Sequence, residues 1–134
     1  MTTTVTPFLM FQGQAEEAMT FYVSLFEEAE IESLEKYDDD AGDAEGLVRL
    51  ATFSLQGREF ICIDSPVPQE FDFTPSMSIF ITCEDESEID ELYAQLSAGG
   101  AVMMPLQPYD FSLKFGWITD RFGVSWQLNL QPND

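Results

Sequence analysis

The 134-residue chain has no histidine, and its 25 aspartates and glutamates face only five lysines and arginines, for a formal charge of −20. Lacking histidine, it lacks the usual general base near neutral pH and the commonest metal ligand. Nucleophilic catalysis in which an imidazole activates a serine or cysteine is therefore excluded. So acidic a surface repels phosphate backbones and anionic lipid, so neither nucleic acid nor a membrane is expected as a partner. Cysteine is scarce too. Cys62 and Cys83 form no CxxC pair and no disulfide framework, and both sit in apolar, strand-like runs, which reads as two reduced, buried thiols. No apolar run approaches the roughly 20 residues needed to span a bilayer. The segment from Met1 to Pro7 has no basic region followed by an apolar stretch, so no signal peptide is read and a cytoplasmic location is expected.

What is present suits one domain: hydrophobic residues make up 45% of the chain, and twelve phenylalanines supply core volume. The acidic runs Asp38-Asp39-Asp40 and Glu84-Asp85-Glu86 read as solvated loops or helix starts. The acidity as a whole suggests adaptation to a high-salt cytoplasm, because added salt relieves self-repulsion.

The chain reads as two similar halves. Thr6-Pro7 and Thr74-Pro75 each precede a strand-like run, Phe8-Leu9-Met10-Phe11 and Met77-Ser78-Ile79-Phe80-Ile81, and each run gives way to a helix. The first helix is predicted over 14–28, with Ala15, Ala18, Met19, Tyr22, Leu25, Phe26 and Ala29 at three-and-four spacing. The second is predicted over 86–97, with Asp85 as N-cap, Glu88 three residues on, and Gly99-Gly100 as the stop. Three strands follow each helix, over 29–37, 47–55 and 59–64, then over 101–104, 113–119 and 124–130, with turns at Gln56-Gly57 and Phe122-Gly123. The stretch from Asp64 to Pro75, with three prolines, is an extended connection. The prediction is one α+β domain of two βαβββ repeats, about 4–64 and 75–130. Their curved, largely antiparallel sheets would enclose a cavity between bare faces, within one chain or across a homodimer.

Three segments carry a family resemblance. They are Pro7 to Tyr22, with its Gly, Glu-Ala and Phe-Tyr landmarks; Met77 to Asp85; and Gly116-Trp117 with Asp120-Arg121-Phe122-Gly123 and Ser125-Trp126-Gln127. On these the chain resembles the vicinal-oxygen-chelate superfamily of glyoxalase I, bleomycin-resistance proteins and extradiol dioxygenases. Within it, the chain is similar to the PhnB-like group, often labelled 3-demethylubiquinone-9 3-methyltransferase-like. The resemblance implies a metal site built from the first and fourth strands of each half, usually with His and Glu as ligands. Carried across, those slots fall near Pro7 or Phe8, near Ile61 or Cys62, at Ser78, and at Gln127. None holds His, Asp or Glu, and a lone cysteine with neutral oxygens suits none of the metals that the superfamily uses. No metal and no other cofactor is therefore expected. Asp64 and Glu59, flanking the fourth strand, read as solvated strand-end carboxylates rather than ligands of a hard cation. Methyl transfer of the common type needs a Gly-rich loop after a parallel strand; Gly99-Gly100 instead follows a helix.

A candidate binding face remains. With Ser78 and Gln127 turned inward, strand alternation places Ser76, Phe80 and Thr82 with the first and Ser125 and Asn129 with the second, while Trp126 and Leu128 turn to the helix layer. Cys62 and Trp117 join Ser78, Phe80, Ser125 and Gln127 as candidate ligand contacts, with Phe11 and Phe53 as further aromatic candidates. Two functions stay open. One is a metal-free binding module for a small, partly aromatic molecule, for which the bleomycin-resistance relatives suggest a cationic ligand. The other is an enzyme of the superfamily type, with lyase, dioxygenase or methyltransferase-like chemistry, acting through an atypical metal site or none.

Overall fold

The computed structural model describes residues 2–132. Its elements run β1 (Phe8–Phe11), α1 (Ala15–Ser24), β2 (Ala29–Lys36), β3 (Val48–Leu55), β4 (Arg58–Asp64), β5 (Ser78–Cys83), α2 (Glu86–Ser97), β6 (Ala101–Tyr109), β7 (Ser112–Thr119) and β8 (Ser125–Leu130). They form two compact units that divide between Glu70 and Phe71, inside the proline-marked connection. The first unit holds one four-stranded sheet, ordered β1-β4-β3-β2, and the second holds its counterpart, ordered β5-β8-β7-β6. In each the first strand pairs in parallel with the fourth and the other pairs are antiparallel. The fold is thus α+β, with two βαβββ modules.

In the first unit, one sheet face is covered by α1, whose Ala15, Ala18, Met19 and Tyr22 are fully buried. They pack over Leu9, Phe11, Ala51, Phe53, Leu55, Phe60 and Cys62, all buried, with the Phe53 and Phe60 rings stacked at 5.2 Å. The helix ends at Ser24, one turn before the predicted Glu28. Ser24 turns its hydroxyl back to the Phe21 carbonyl (2.6 Å), and Glu27 and Glu28 would set negative charge at a helix C-terminus, where the dipole opposes it. Glu28 instead leads into β2, and its carbonyl accepts the Gln56 N–H at 2.6 Å.

In the second unit α2 has the predicted bounds, and Asp85 caps it by accepting the Glu88 N–H at 2.8 Å. Ile89, Leu92 and Leu96 are buried beneath it, with Ile118, Trp126 and Leu128. Two close approaches explain glycines here. A Cβ on Gly116 would lie 3.0 Å from the Tyr93 ring of α2, and one on Gly100 would lie 2.0 Å from the Thr119 carbonyl oxygen.

Strand β6 departs most from expectation. It runs to Tyr109 rather than stopping at Met104, passing through Pro105 and Pro108. As the edge strand of its sheet it has a side that owes no ladder hydrogen bonds, and its register shifts after Val102, Met104 and Gln107 absorb the prolines. The acidic loop after β2 contains a short 3₁₀ segment, Asp39–Ala44, kinked at Gly42. Among the described residues no helix is long and apolar enough to cross a membrane.

Candidate functional site

The sheet of the second unit has one face under α2 and one open face. Parallel pairing of β5 with β8 sets Ser78 opposite Ser125 and Phe80 opposite Gln127, and antiparallel pairing of β7 with β8 sets Trp117 opposite Gln127 and Phe115 opposite Asn129. Residues directly opposite share a face, so alternation collects all of them on one side. On that side Phe80, Met104, Phe111, Phe115, Trp117, Gln127 and Asn129 line a cavity of about 500 Å³, while Ser78 and Ser125 share the face without lining it. This volume falls in the usual range for small-molecule sites.

The walls are aromatic. Phe115 is buried and meets Phe111 edge-on at 5.0 Å, Tyr109 edge-on at 6.0 Å and Phe80 at 6.4 Å, while Phe80 and Phe111 are more than half exposed. The floor is polar. The Trp117 indole N–H donates to Ser125 Oγ (2.8 Å), Ser125 Oγ lies 2.6 Å from Ser78 Oγ, and Gln127 Nε2 donates to Ser78 Oγ (3.2 Å). Asn129 Oδ1 accepts from the Ser112 hydroxyl, whose oxygen also accepts the Lys114 N–H. All seven described residues that line the cavity are uncharged, in a chain of charge −20.

The structure therefore gathers Ser78, Phe80, Trp117, Ser125 and Gln127, with Asn129, on one face. Trp126 and Leu128 point to the helix layer, and Trp126 Nε1 donates to Asp120 Oδ2 at 2.8 Å. Cys62 is not among them. It lies in the first unit and faces α1, fully buried with its Sγ 3.8 Å from Met19 Sδ, because it shares parity with Phe60 beneath the helix. Burial, with the Asp64 charge adding to it, pushes the Cys62 thiol up to about 12, so it is neither a nucleophile nor a ready metal ligand. Phe11 and Phe53 are likewise helix-layer residues rather than pocket walls. Ser76 and Thr82 are exposed and do not line the cavity.

Asp64 also departs from its expected role. It is buried, not solvated, and its Oδ1 accepts the N–H groups of Gly13 and Ala15 while Oδ2 accepts that of Val48. It thus supplies the start of α1 with the cap that Gln14 does not provide, and its oxygens are committed to backbone. Glu59 interacts with Glu32, whose carboxyl is held above the ordinary range by loss of solvent first and by its hydrogen bond to Glu59 second. Among the described residues the one close group of potential metal ligands is the exposed trio Asp38, Asp39 and Asp40 in the acidic loop, remote in sequence from every slot above.

Met104, Phe111 and Phe115 escaped the sequence reading. Phe115 was recoverable, since it lies two residues before Trp117 and so shares its face. Phe111 sits in the β6–β7 turn and Met104 beside a register shift, where alternation has no predictive value.

This architecture is that of the glyoxalase and bleomycin-resistance fold. A glyoxylase/bleomycin resistance protein/dioxygenase domain of Frankia matches with a TM-score of 0.67 at 13% identity, covering 99% of this chain and 94% of that one. A glyoxalase family protein of Bacillus cereus matches at 0.71 and 13%, covering 99% and 96%. The family model described as 3-demethylubiquinone-9 3-methyltransferase matches residues 3–129. A PhnB protein from Bacillus cereus is 54% identical over 96% of this chain and 100% of its own, with a TM-score of 0.94. The chain belongs to this PhnB-like, 3-demethylubiquinone-9 3-methyltransferase family. No curated protein matches it.

Proposed function

We propose that the protein is a small-molecule-binding member of this family that holds a compact, partly aromatic ligand on the open face of its second sheet. The observation that carries this reading is the cavity of about 500 Å³, walled by Phe80, Phe111, Phe115 and Trp117 and floored by two side-chain amides. Aromatic walls with a few fixed polar groups are the usual makeup of a small-molecule site. The neutral lining favours an uncharged ligand over the cationic one that the chain's overall charge suggests.

The residues at the superfamily's ligand positions do not fit a metal. The side chains of Pro7, Phe8 and Ile61 offer only hydrocarbon, and Cys62 faces the helix with a thiol pushed up to about 12. The Ser78 hydroxyl and the Gln127 amide are neutral and engaged with each other. Hard and borderline cations both need at least some anionic or imidazole donors, and the chain has no imidazole at all. The family description speaks of methyl transfer, but the cavity brings no ionisable group to a substrate. Self-association belongs to the same proposal, since Phe8, Leu50, Met77, Val102 and Leu113 are exposed apolar side chains on a highly charged chain.

Purified protein should retain no stoichiometric zinc, iron, nickel or manganese after dialysis, and neutral bicyclic aromatics should raise its melting temperature. Trp117→Ala should abolish that rise. Retention of one metal per chain, or a ligand-induced rise unaffected by the substitution, would overturn the proposal.

A further inference from the structure

We infer that Gln127 and Asn129 are specificity-determining residues that select a ligand carrying a hydrogen-bond acceptor and a donor on one edge of an aromatic ring system, as in an aromatic lactam. This rests on the binding site proposed above and specifies what that site recognises.

Each amide has one end tied down. Gln127 Nε2 donates to Ser78 Oγ, and Ser78 is itself held at 2.6 Å from Ser125, a buried hydroxyl that also receives the Trp117 indole N–H. With its nitrogen engaged there, Gln127 presents its oxygen, Oε1, as the acceptor for a ligand. Asn129 is tied the other way round. Its Oδ1 accepts from the Ser112 hydroxyl, for which the Lys114 carbonyl at 3.0 Å is the competing acceptor, and that contact leaves Nδ2 as a donor. The two residues are two apart on β8 and so lie on the same face, roughly 7 Å apart along the strand. The other groups lining the cavity are hydrocarbon, a thioether and an indole whose N–H is already taken. An acceptor and a donor thus stand two residues apart along β8 on an apolar, aromatic surface.

A ligand without hydrogen-bonding groups would strip water from Oε1 and Nδ2 and return nothing, and that asymmetry is the basis of discrimination. A ring N–H satisfies Gln127 and the neighbouring carbonyl satisfies Asn129, while the rings lie against Phe80, Phe115 and Trp117. Ser78 is a positioning residue in this scheme: it touches no ligand but fixes which end of Gln127 the ligand meets.

The test uses three bicyclic probes of similar shape, read by Trp117 fluorescence and by calorimetry: 2-quinolone (donor and acceptor), 1-methyl-2-quinolone (acceptor only) and naphthalene (neither). The expected result is that 2-quinolone binds about tenfold more tightly than 1-methyl-2-quinolone, with naphthalene weakest. Gln127→Leu should abolish the preference for 2-quinolone over its methylated form while leaving naphthalene binding in place. Ser78→Ala, which removes the tether and leaves both amides intact, should narrow the same preference. Equal binding of all three probes to the wild type would overturn this inference and leave the proposed site standing. Failure of every probe to bind would overturn both. A preference for 2-quinolone that survives Gln127→Leu would assign the selectivity to another residue and overturn the inference as well.

Discussion

The residues from Gly116 to Gln127, one of the segments that carry the family resemblance, hold separate structural posts. Gly116 makes room for Tyr93, Trp117 joins the pocket floor to Ser125, and Asp120 gathers the N–H groups of Phe122 and Val124 on Oδ1 and the Trp126 indole on Oδ2. Of these residues, Trp117 and Gln127 line the cavity. A shared signature here preserves a turn and a floor, and it says nothing by itself about chemistry. The two cysteines complete the residue scale. Both thiols are pushed from 9.0 up to about 12, by burial first in each case, with Asp64 adding at Cys62, and Glu88 and Asp85 adding at Cys83. A thiol raised in the folded state stays neutral there while the unfolded chain ionises near pH 9. Its contribution to stability is therefore complete below about pH 9 and is lost as pH rises from 9 towards 12. Urea unfolding at pH 7.5, 9.5 and 10.5 should show stability declining across the last two, with a shallower decline in the Cys62→Ala, Cys83→Ala double variant. Neither thiol should react with iodoacetamide in the native protein at pH 8.

At the scale of elements, periodicity gave α2 its bounds and each sheet its strands, because a capped helix and alternating strands write their own limits locally. Two boundaries were set by neighbours instead. The pairing of β2 with β3, which opens at Ala29 opposite Leu55, takes the chain out of helix after Ser24. The place of β6 at a sheet edge lets it run on through two prolines that a central strand would reject. The packing of α2 on β7 makes the sharpest prediction here. Gly116→Ala pushes a methyl group to 3.0 Å from the Tyr93 ring and should cost about 1–3 kcal/mol in urea unfolding. Because the closest approach is to the Tyr93 ring, with Leu106 Cδ1 next at 3.3 Å, Tyr93→Ala in the same background should recover part of that loss, a coupling that a double-mutant cycle measures. Purely additive losses would show that the glycine serves the strand rather than the helix contact.

Across the whole molecule, charge repulsion opposes the compact state. Ion pairs join Lys36 to Glu16, Arg49 to Glu35, and Lys114 to both Glu86 and Asp90. The Lys114 ammonium is held above its ordinary range by those two carboxylates, Asp90 first. The other acidic residues far outnumber the cations left to meet them, so repulsion among them should limit stability at low ionic strength. Raising KCl from 20 mM to 1 M shortens the screening length from about 20 Å to about 3 Å and should raise the melting temperature by several degrees. The fraction sedimenting as a dimer should rise over the same range. A flat melting temperature would mean that the carboxylates are too widely spaced to repel effectively.

The sequence by itself determined the repeat, the helix and strand identities, and the lack of any imidazole, since these follow from local spacing and from residue types present or missing. With Ser78 and Gln127 turned inward on the family resemblance, strand parity also set Phe80 and Ser125 beside them, because it needs only a count of residues; Trp117 was an aromatic candidate whose face only the β7–β8 pairing fixed. Which face α1 covers was decided by the tertiary structure, and that moved Cys62, Phe11 and Phe53 from candidate contacts into the helix layer. The cap that Asp64 provides, 49 residues along the chain from Ala15, was decided there too, as was the hydroxyl pair that orients Gln127. These contacts join residues distant in sequence, and they exist only after the strands of each sheet have paired.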